Sequence, residues 1–199
     1  ADGVLAGLRN PRLLRLALVF ATSAVAAGVL VTFVPLAVTT ATATAALFAQ
    51  PAAATAARWA AGRIGDSRGH ARLLGPGVVL SAAGMALLAA VHVPAAVVGG
   101  AACFGTGFGI LQNATLAMMY ARAPRGAYDA VSAIWNTAWD AGMGAGAAVI
   151  GLLAATVGYP AAFVITAALV LPALVPVLRE QSRPAHTATP GRPERNTTR

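Results

Sequence analysis

Residues 16–38 read LALVFATSAVAAGVLVTFVPLAV, an apolar run without one charged side chain. A chain that crosses lipid must satisfy every backbone N–H and C=O inside the segment, and a helix of about 20 apolar residues does this across about 30 Å of hydrocarbon. The run is long enough, and its composition recurs along the chain. Working outward from it, candidate spans fall at 16–38, 41–61, 73–91, 95–120, 127–157 and 160–178. The expected fold class is an all-α membrane protein of six transmembrane helices. Residues 1–15 would be a cytoplasmic linker, 16–178 the membrane domain and 179–199 a disordered cytoplasmic tail.

The composition agrees. Of 199 residues 58% are hydrophobic and 10% charged, and mean hydropathy is +0.71, too apolar for a domain that folds in water. The net charge of +8 would fit a nucleic-acid partner, but the 14 basic residues are all Arg and form no polar stripe with interleaved aromatics. No nucleic acid is expected; the partner is the lipid bilayer.

The arginines set an orientation instead. Arg9, Arg12 and Arg15 precede the first span, and Arg58, Arg63, Arg68 and Arg72 lie at the second connection. Arg122 and Arg125 mark the fourth connection, while Arg179, Arg183, Arg192, Arg195 and Arg199 follow the last span. The alternate turns at 39–40, 92–94 and 158–160 contain none. Cationic residues are retained on the cytoplasmic side of short loops, so both termini are expected in the cytoplasm of a multi-pass inner-membrane protein. The basic surplus is then topology, with some attraction to anionic lipid. A signal peptide is a poor match, because its apolar core is shorter and a soluble mature chain follows it. Residues 181–199 are rich in Pro, Thr and Arg and cannot bury enough surface to fold. The acceptor-like Asn196-Thr197-Thr198 falls on the cytoplasmic side by the arginine count.

Several function classes drop out. Cys103 has no second thiol to pair with and no His or Cys at ligand spacing, so neither a disulfide scaffold nor a zinc site is expected. An intramembrane hydrolase needs a Ser with a His, paired acids or a metal cluster at matching depth, and no such combination is found. No phosphate-binding Walker loop occurs either. The expectation is a protein without cofactor and without enzymatic activity.

What polarity the spans hold follows a pattern of three. Spans three and six are nearly all apolar and suited to lipid. The others carry Thr22, Ser23 and Thr32; Thr42, Thr44, Gln50 and Thr55; Thr106, Gln112, Asn113 and Thr115; Ser132, Asn136, Thr137 and Asp140. Uncompensated polar groups in hydrocarbon are costly, so these should face protein or a water-filled cavity. Two triplets entering from opposite sides form the arrangement of an inverted 3+3 repeat, on topology and polarity rather than sequence identity. Gly99, Gly100, Gly105, Gly107 and Gly109 in span four, and Gly142, Gly144, Gly146 and Gly151 in span five, are expected to let backbones approach.

Asp140 is the acid deep inside a span, about 20 Å along a helix that starts near Ala127. An ionisable group at that depth is a functional candidate. Asn136 and Ser132 lie one and two turns earlier on the same face, with Trp135 and Trp139 on an adjacent stripe. Either Asp140 binds a cationic substrate or carries a proton in a cavity, or it is a structural acid held by neighbouring helices.

The second connection, residues 58–72, reads RWAAGRIGDSRGHAR. Its glycines permit a tight turn, and Asp66 can accept from an Arg or from N–H groups at a helix start. This run resembles the loop signature of the major facilitator superfamily, G-x-x-x-D-x-x-G-x-x-[RK], carried by Gly62, Asp66, Gly69 and Arg72, with Arg63 and Arg68 beside them. RNPR at 9–12 resembles the end of the central cytoplasmic linker, TFVPL at 32–36 the outer end of the seventh helix, and NTAWDAGMGAG at 136–146 the eleventh helix of efflux-type members. A member has twelve spans in two halves, so the chain looks like the second half alone, a fragment lacking the N-terminal six-helix half. The resemblance implies alternating access and antiport, with export of a small-molecule substrate driven by protons. It makes the 62–72 run a cytoplasmic gate in which Asp66 acts as a latch, although Ser67 stands where many members have a basic residue. A solvated acid that only sets topology is the alternative. It also implies that Gln50, Gln112 and Asn113 line the central path with Asp140, Asn136 and Trp139, interhelical hydrogen bonding being the alternative. A self-standing six-span unit or pore that dimerises is the competing architecture.

Overall fold

The computed structural model describes residues 10–181, and within them every regular element is helical. Asn10 opens the first helix: its side chain accepts the Arg12 N–H at 3.0 Å, and Pro11, which has no N–H to lose, takes the first helical position. Helix α1, Pro11–Ala37, therefore draws Arg12 and Arg15 out of the expected linker. Helix α2, Thr40–Arg68, continues seven residues past the expected end of span two, because an alanine-rich stretch with an Arg63–Trp59 contact one turn apart favours helix. It stops at Gly69, whose φ of 88° is open to glycine and whose N–H reaches Gly65 O at 2.8 Å. The second connection shrinks to Gly69 and His70, and Gly62, Arg63, Asp66 and Arg68 are helical rather than loop residues.

Helices α3, Ala71–Leu88, and α4, Pro94–Ala121, follow. The fifth stretch is one rod in three parts: α5, Tyr128–Ala145; a π turn, Gly146–Ile150; and α6, Gly151–Val157. After Gly158, with φ at 80°, come α7, Tyr159–Val170, a 3-10 turn at Leu171–Ala173, and α8, Leu174–Gln181. Helix thus extends through Gln181, three residues into the stretch assigned to the tail; Arg9, His186, Asn196 and the rest of 182–199 lie outside the described residues.

Five of these stretches are both long and apolar enough to cross a membrane: Pro11–Ala37, Ala71–Leu88, Pro94–Ala121, Tyr128–Val157 and Tyr159–Leu178. Helix α2 has the length, about 43 Å at 1.5 Å per residue, but its Thr, Gln and Arg content leaves it less apolar than the five.

In the bundle, α4 packs against α2, α3 and α1, while α1 packs against α5, α7 and α4, and α3 against α7. Exchanging α1 with α4, α2 with α5 and α3 with α7 maps each of these contacts onto another. Two close backbone crossings hold the flanks. Gly105 and Gly109 of α4 lie against the carbonyls of Gln50 and Ala54, and Gly28, Gly142 and Gly146 bring α1 and the fifth rod together at Ala21, Val25 and Met143. Among lipid tails, which are as apolar as leucine, such van der Waals approach is what drives helices together. Gly99 and Gly144 were expected to pack in the same way but face open space. Between α1, α3 and α4 the core is filled by Phe20, Leu30, Met85, Phe104 and Leu111.

Candidate functional site

Helix α5 divides its residues by face. Trp135 and Trp139 turn inward, where Trp135 stacks on Phe20 of α1 at 4.2 Å and Trp139 lies 5.3 Å from Phe108 of α4. Trp135 Nε1 donates to Thr115 Oγ1 at 3.3 Å, which satisfies the indole N–H. The opposite face carries Asn136, Thr137 and Asp140, all exposed on this chain. Asn136 Nδ2 donates back to Ser132 O at 2.9 Å, and the Ser132 hydroxyl pairs with Tyr120 OH at 2.6 Å. The expected polar and aromatic stripes are thus distinct in space: the aromatic one is core, and the polar one is uncovered.

The amides on α4 sit elsewhere. Gln112 Oε1 and Asn113 Oδ1 are buried and accept no hydrogen bond from the described residues, with Asn113 Nδ2 lying 3.5 Å from where a Gly62 side chain would begin. Gln50, half-buried on α2, meets α4 through its backbone at Gly105. Gln50 and Asn113 therefore belong to the α2–α4 seam, and Asp140 is on a rod that packs mainly on α1. Gln50 and Asn113 thus lie at a different seam from Asp140.

At the end of α2 the ionic contacts differ from those expected. Asp66, 82% exposed at its side chain, has His70 Nε2 at 3.9 Å, and it is His70 that folds over Gly65. The Arg63 guanidinium lies 3.6 Å above the Trp59 ring. Gly62 is half-buried, and Arg58, Arg68, Gly69 and Arg72 are exposed.

One cluster escaped the sequence reading. Glu180 of α8, with a side chain 2% exposed, takes Arg122 Nη2 at 2.6 Å and has Arg15 Nη1 at 3.8 Å. Three helix ends meet there: the start of α1 and the ends of α4 and α8. The available signal was an acid at the arginine-rich end of an otherwise apolar final span, in the part assigned to a tail. At the opposite end of the bundle a pocket of 380 Å³ joins the α1–α2 turn to the α3–α4 turn, lined by Leu36, Val38, Thr39, Thr42, His92 and Pro94 among others. It contains no arginine. Among the described residues no group of His, Cys, Asp and Glu is placed to hold a metal.

A family model described as Major Facilitator Superfamily matches residues 8–198. The chain belongs to the major facilitator superfamily. No curated protein matches it. Major facilitators are membrane transporters of small molecules, and transport is the activity that membership implies. In this major facilitator the helical bundle supplies apolar spans, polar residues on α4 and α5, and an arginine-rich end tied together by Glu180.

Proposed function

We propose that this chain is the second six-helix half of a twelve-span, proton-coupled exporter of small organic molecules. Its path lies along the uncovered face of α5, and α2 supplies the sixth span. The observation that carries this is the exposure of Asn136, Thr137 and Asp140 on the rod Tyr128–Val157, the span least covered by the rest of the chain. A carboxylate and an amide at mid-membrane depth are too costly to leave against lipid, so another protein surface or a water-filled path must meet them. The symmetric contacts of α1, α2 and α3 with α4, α5 and α7 support an inverted 3+3 repeat.

Asp140 then serves as the protonatable group or cation-binding carboxylate, with Asn136 one turn away on the same face and Trp139 packed behind them against α4, and Gln50, Gln112 and Asn113 lie along the α2–α4 flank of the path. The 62–72 run acts as the cytoplasmic gate: Asp66 is exposed to meet a helix end on the other half, since its ion-pair partner among the described residues is His70 at 3.9 Å. Both termini lie in the cytoplasm, and the membrane is the inner one. The Arg15–Glu180–Arg122 cluster gathers three helix ends at the arginine-rich face and the pocket around His92 has no arginine, which supports that orientation.

The test is the size of the native gene product, tagged at its C-terminus and run from the membrane fraction on a denaturing gel. A band near twice the 19.8 kDa of this chain supports the half-transporter reading. A band at the chain's own mass overturns it in favour of a unit whose uncovered α5 face is closed by a second copy.

A further inference from the structure

Arg58 is exposed on α2 and enters none of the ion pairs among the described residues. Its depth follows from the helix contacts. Gly105 and Gly109 of α4 meet the carbonyls of Gln50 and Ala54, four residues apart on each of two helices that run the same way, so Asn113 is level with Arg58. Asn113 comes nine residues before Arg122, which binds Glu180. Arg58 therefore lies about 13 Å inside the arginine-rich end of the bundle, farther than its side chain can snorkel. Asp140 lies close to that depth. Trp135 Nε1 reaches Thr115 Oγ1, which ties α5 to α4 two residues from Asn113. These consecutive helices run in opposite directions, so Thr137 is level with Asn113 and Asp140 is about 4.5 Å further out.

The two charges border one gap. Helix α4 turns Gly105 and Gly109 to α2 and, about half a turn away, Gly107 to Gly77 and Ser81 of α3. Helix α2 thus stands on the side of α4 away from α3, and under the exchange of contacts described above α5 stands on the side of α1 away from α7. The two flank the α1–α4 pair without packing on one another. On α2, Thr42 lines the pocket at the α3–α4 turn. Arg58 follows sixteen residues later and is rotated from it by about 160°, which puts it on the edge of α2 turned from α3 and toward the gap. An arginine at this depth is costly unless an anion, an acid or water meets it.

We propose that Arg58 is the anion-recognising wall of the path whose other wall carries Asp140, so that the molecule carried is a zwitterion. Its carboxylate, sulfonate or phosphate group meets the planar guanidinium of Arg58, which offers paired donors to such groups, and its ammonium meets Asp140. Between the two flanks, half-buried Trp139 packed on Phe108 offers flat apolar surface to the body of the substrate. This rests on the path proposed above and narrows its substrate to molecules that hold an acid and a base apart.

Thiol-reagent rates in native membranes holding the full gene product test it. In a Cys103→Ser background, the rate of Asn136→Cys with anionic 2-sulfonatoethyl methanethiosulfonate is divided by its rate with the cationic 2-(trimethylammonio)ethyl reagent, and the quotient is normalised to that of free 2-mercaptoethanol. With Asp140→Asn added, the quotient should exceed one. Arg58→Gln should then lower it by about threefold or more, the effect of a unit charge about 10 Å away in water on reagents of opposite sign, and Arg58→Lys should keep it. Both reagents act on the same chain, so any loss of folded protein cancels. With Arg58 and Asp140 both present, 4-(aminomethyl)benzenesulfonate should slow the reaction of Asn136→Cys with neutral methyl methanethiosulfonate more than benzylamine and benzenesulfonate together. A quotient at or below one in the Asp140→Asn chain overturns the proposal, because an acid of the covering protein then neutralises Arg58. A quotient unmoved by Arg58→Gln overturns it by placing Arg58 outside the path, and protection no better than that of the two singly charged compounds overturns the zwitterion. No reaction with any reagent is a different failure: the α5 face is then sealed, and the path itself falls.

Discussion

Glu180 Oε2 accepts a 2.6 Å hydrogen bond from Arg122 Nη2, joining the end of α8 to the end of α4 across 58 residues of sequence. Arg15 of α1 faces the other carboxylate oxygen at 3.8 Å, so a single buried acid serves two arginines. A buried acid with two guanidinium neighbours is tolerated because the charges compensate, and removing it leaves both cations without their partner.

Glu180→Ala should therefore destabilise the folded bundle by about 2–3 kcal/mol, below the about 3–5 kcal/mol for a fully buried pair because both arginines keep some access to water. Thermal unfolding in detergent measures it. Glu180→Gln should recover only part of the loss, since the shape returns without the charge. An unchanged transition temperature for both variants would mean that the cluster is incidental.

Phe20 is fully buried and lies between Trp135, Trp139 and Phe108, linking α1 to α4 and α5. Phe20→Ala should cost about 3–5 kcal/mol through the cavity it opens and the lost stacking. Tryptophan emission should shift to longer wavelength as Trp135 and Trp139 meet water or lipid headgroups. Loss of stability with no spectral change would place the damage elsewhere.

Glycines on the two helices of one crossing, Gly28 of α1 and Gly144 of the fifth rod, should respond oppositely. A side chain at Gly28 would run into Met143 O, so Gly28→Ala should cost about 1–3 kcal/mol as two backbones are forced apart. Gly144 faces open space, and Gly144→Ala should be neutral or stabilising by up to about 1 kcal/mol through helix propensity. Parallel melting curves of the two variants decide this.

Asp66 and Asp140 should separate function from stability. Both are exposed on this chain, so Asp66→Asn and Asp140→Asn should each change folding stability by no more than about 0.5 kcal/mol. In proteoliposomes of the full gene product with an imposed pH gradient and ethidium as probe, Asp140→Asn should abolish gradient-driven flux. Asp66→Asn should instead shift the inward–outward balance, read by labelling of cysteines placed at the arginine-rich end. Flux unchanged by Asp140→Asn removes that residue from the path, and a labelling pattern unchanged by Asp66→Asn removes the gate.

The sequence by itself determined what depends on local composition. Apolar runs located the helices, with ends up to seven residues from those expected, because backbone hydrogen bonding in lipid leaves helix as the solution for each run. The spacing of Asp140, Asn136, Trp135 and Trp139 set out two stripes, because helical periodicity assigns faces without reference to any neighbour. The end of the second span was expected at Ala61, and the helix instead runs seven residues further, to the positive φ of Gly69. The tertiary structure decided which stripe is core and which is uncovered, and that Gln50 and Asn113 share a seam apart from Asp140, since both depend on the order in which helices pack. It also decided that Asp66 faces His70 and that Glu180 binds Arg122 and Arg15. Those last partners are 58 and 165 positions from Glu180 in sequence, and no pattern within a single helix encodes which distant charge will arrive beside it.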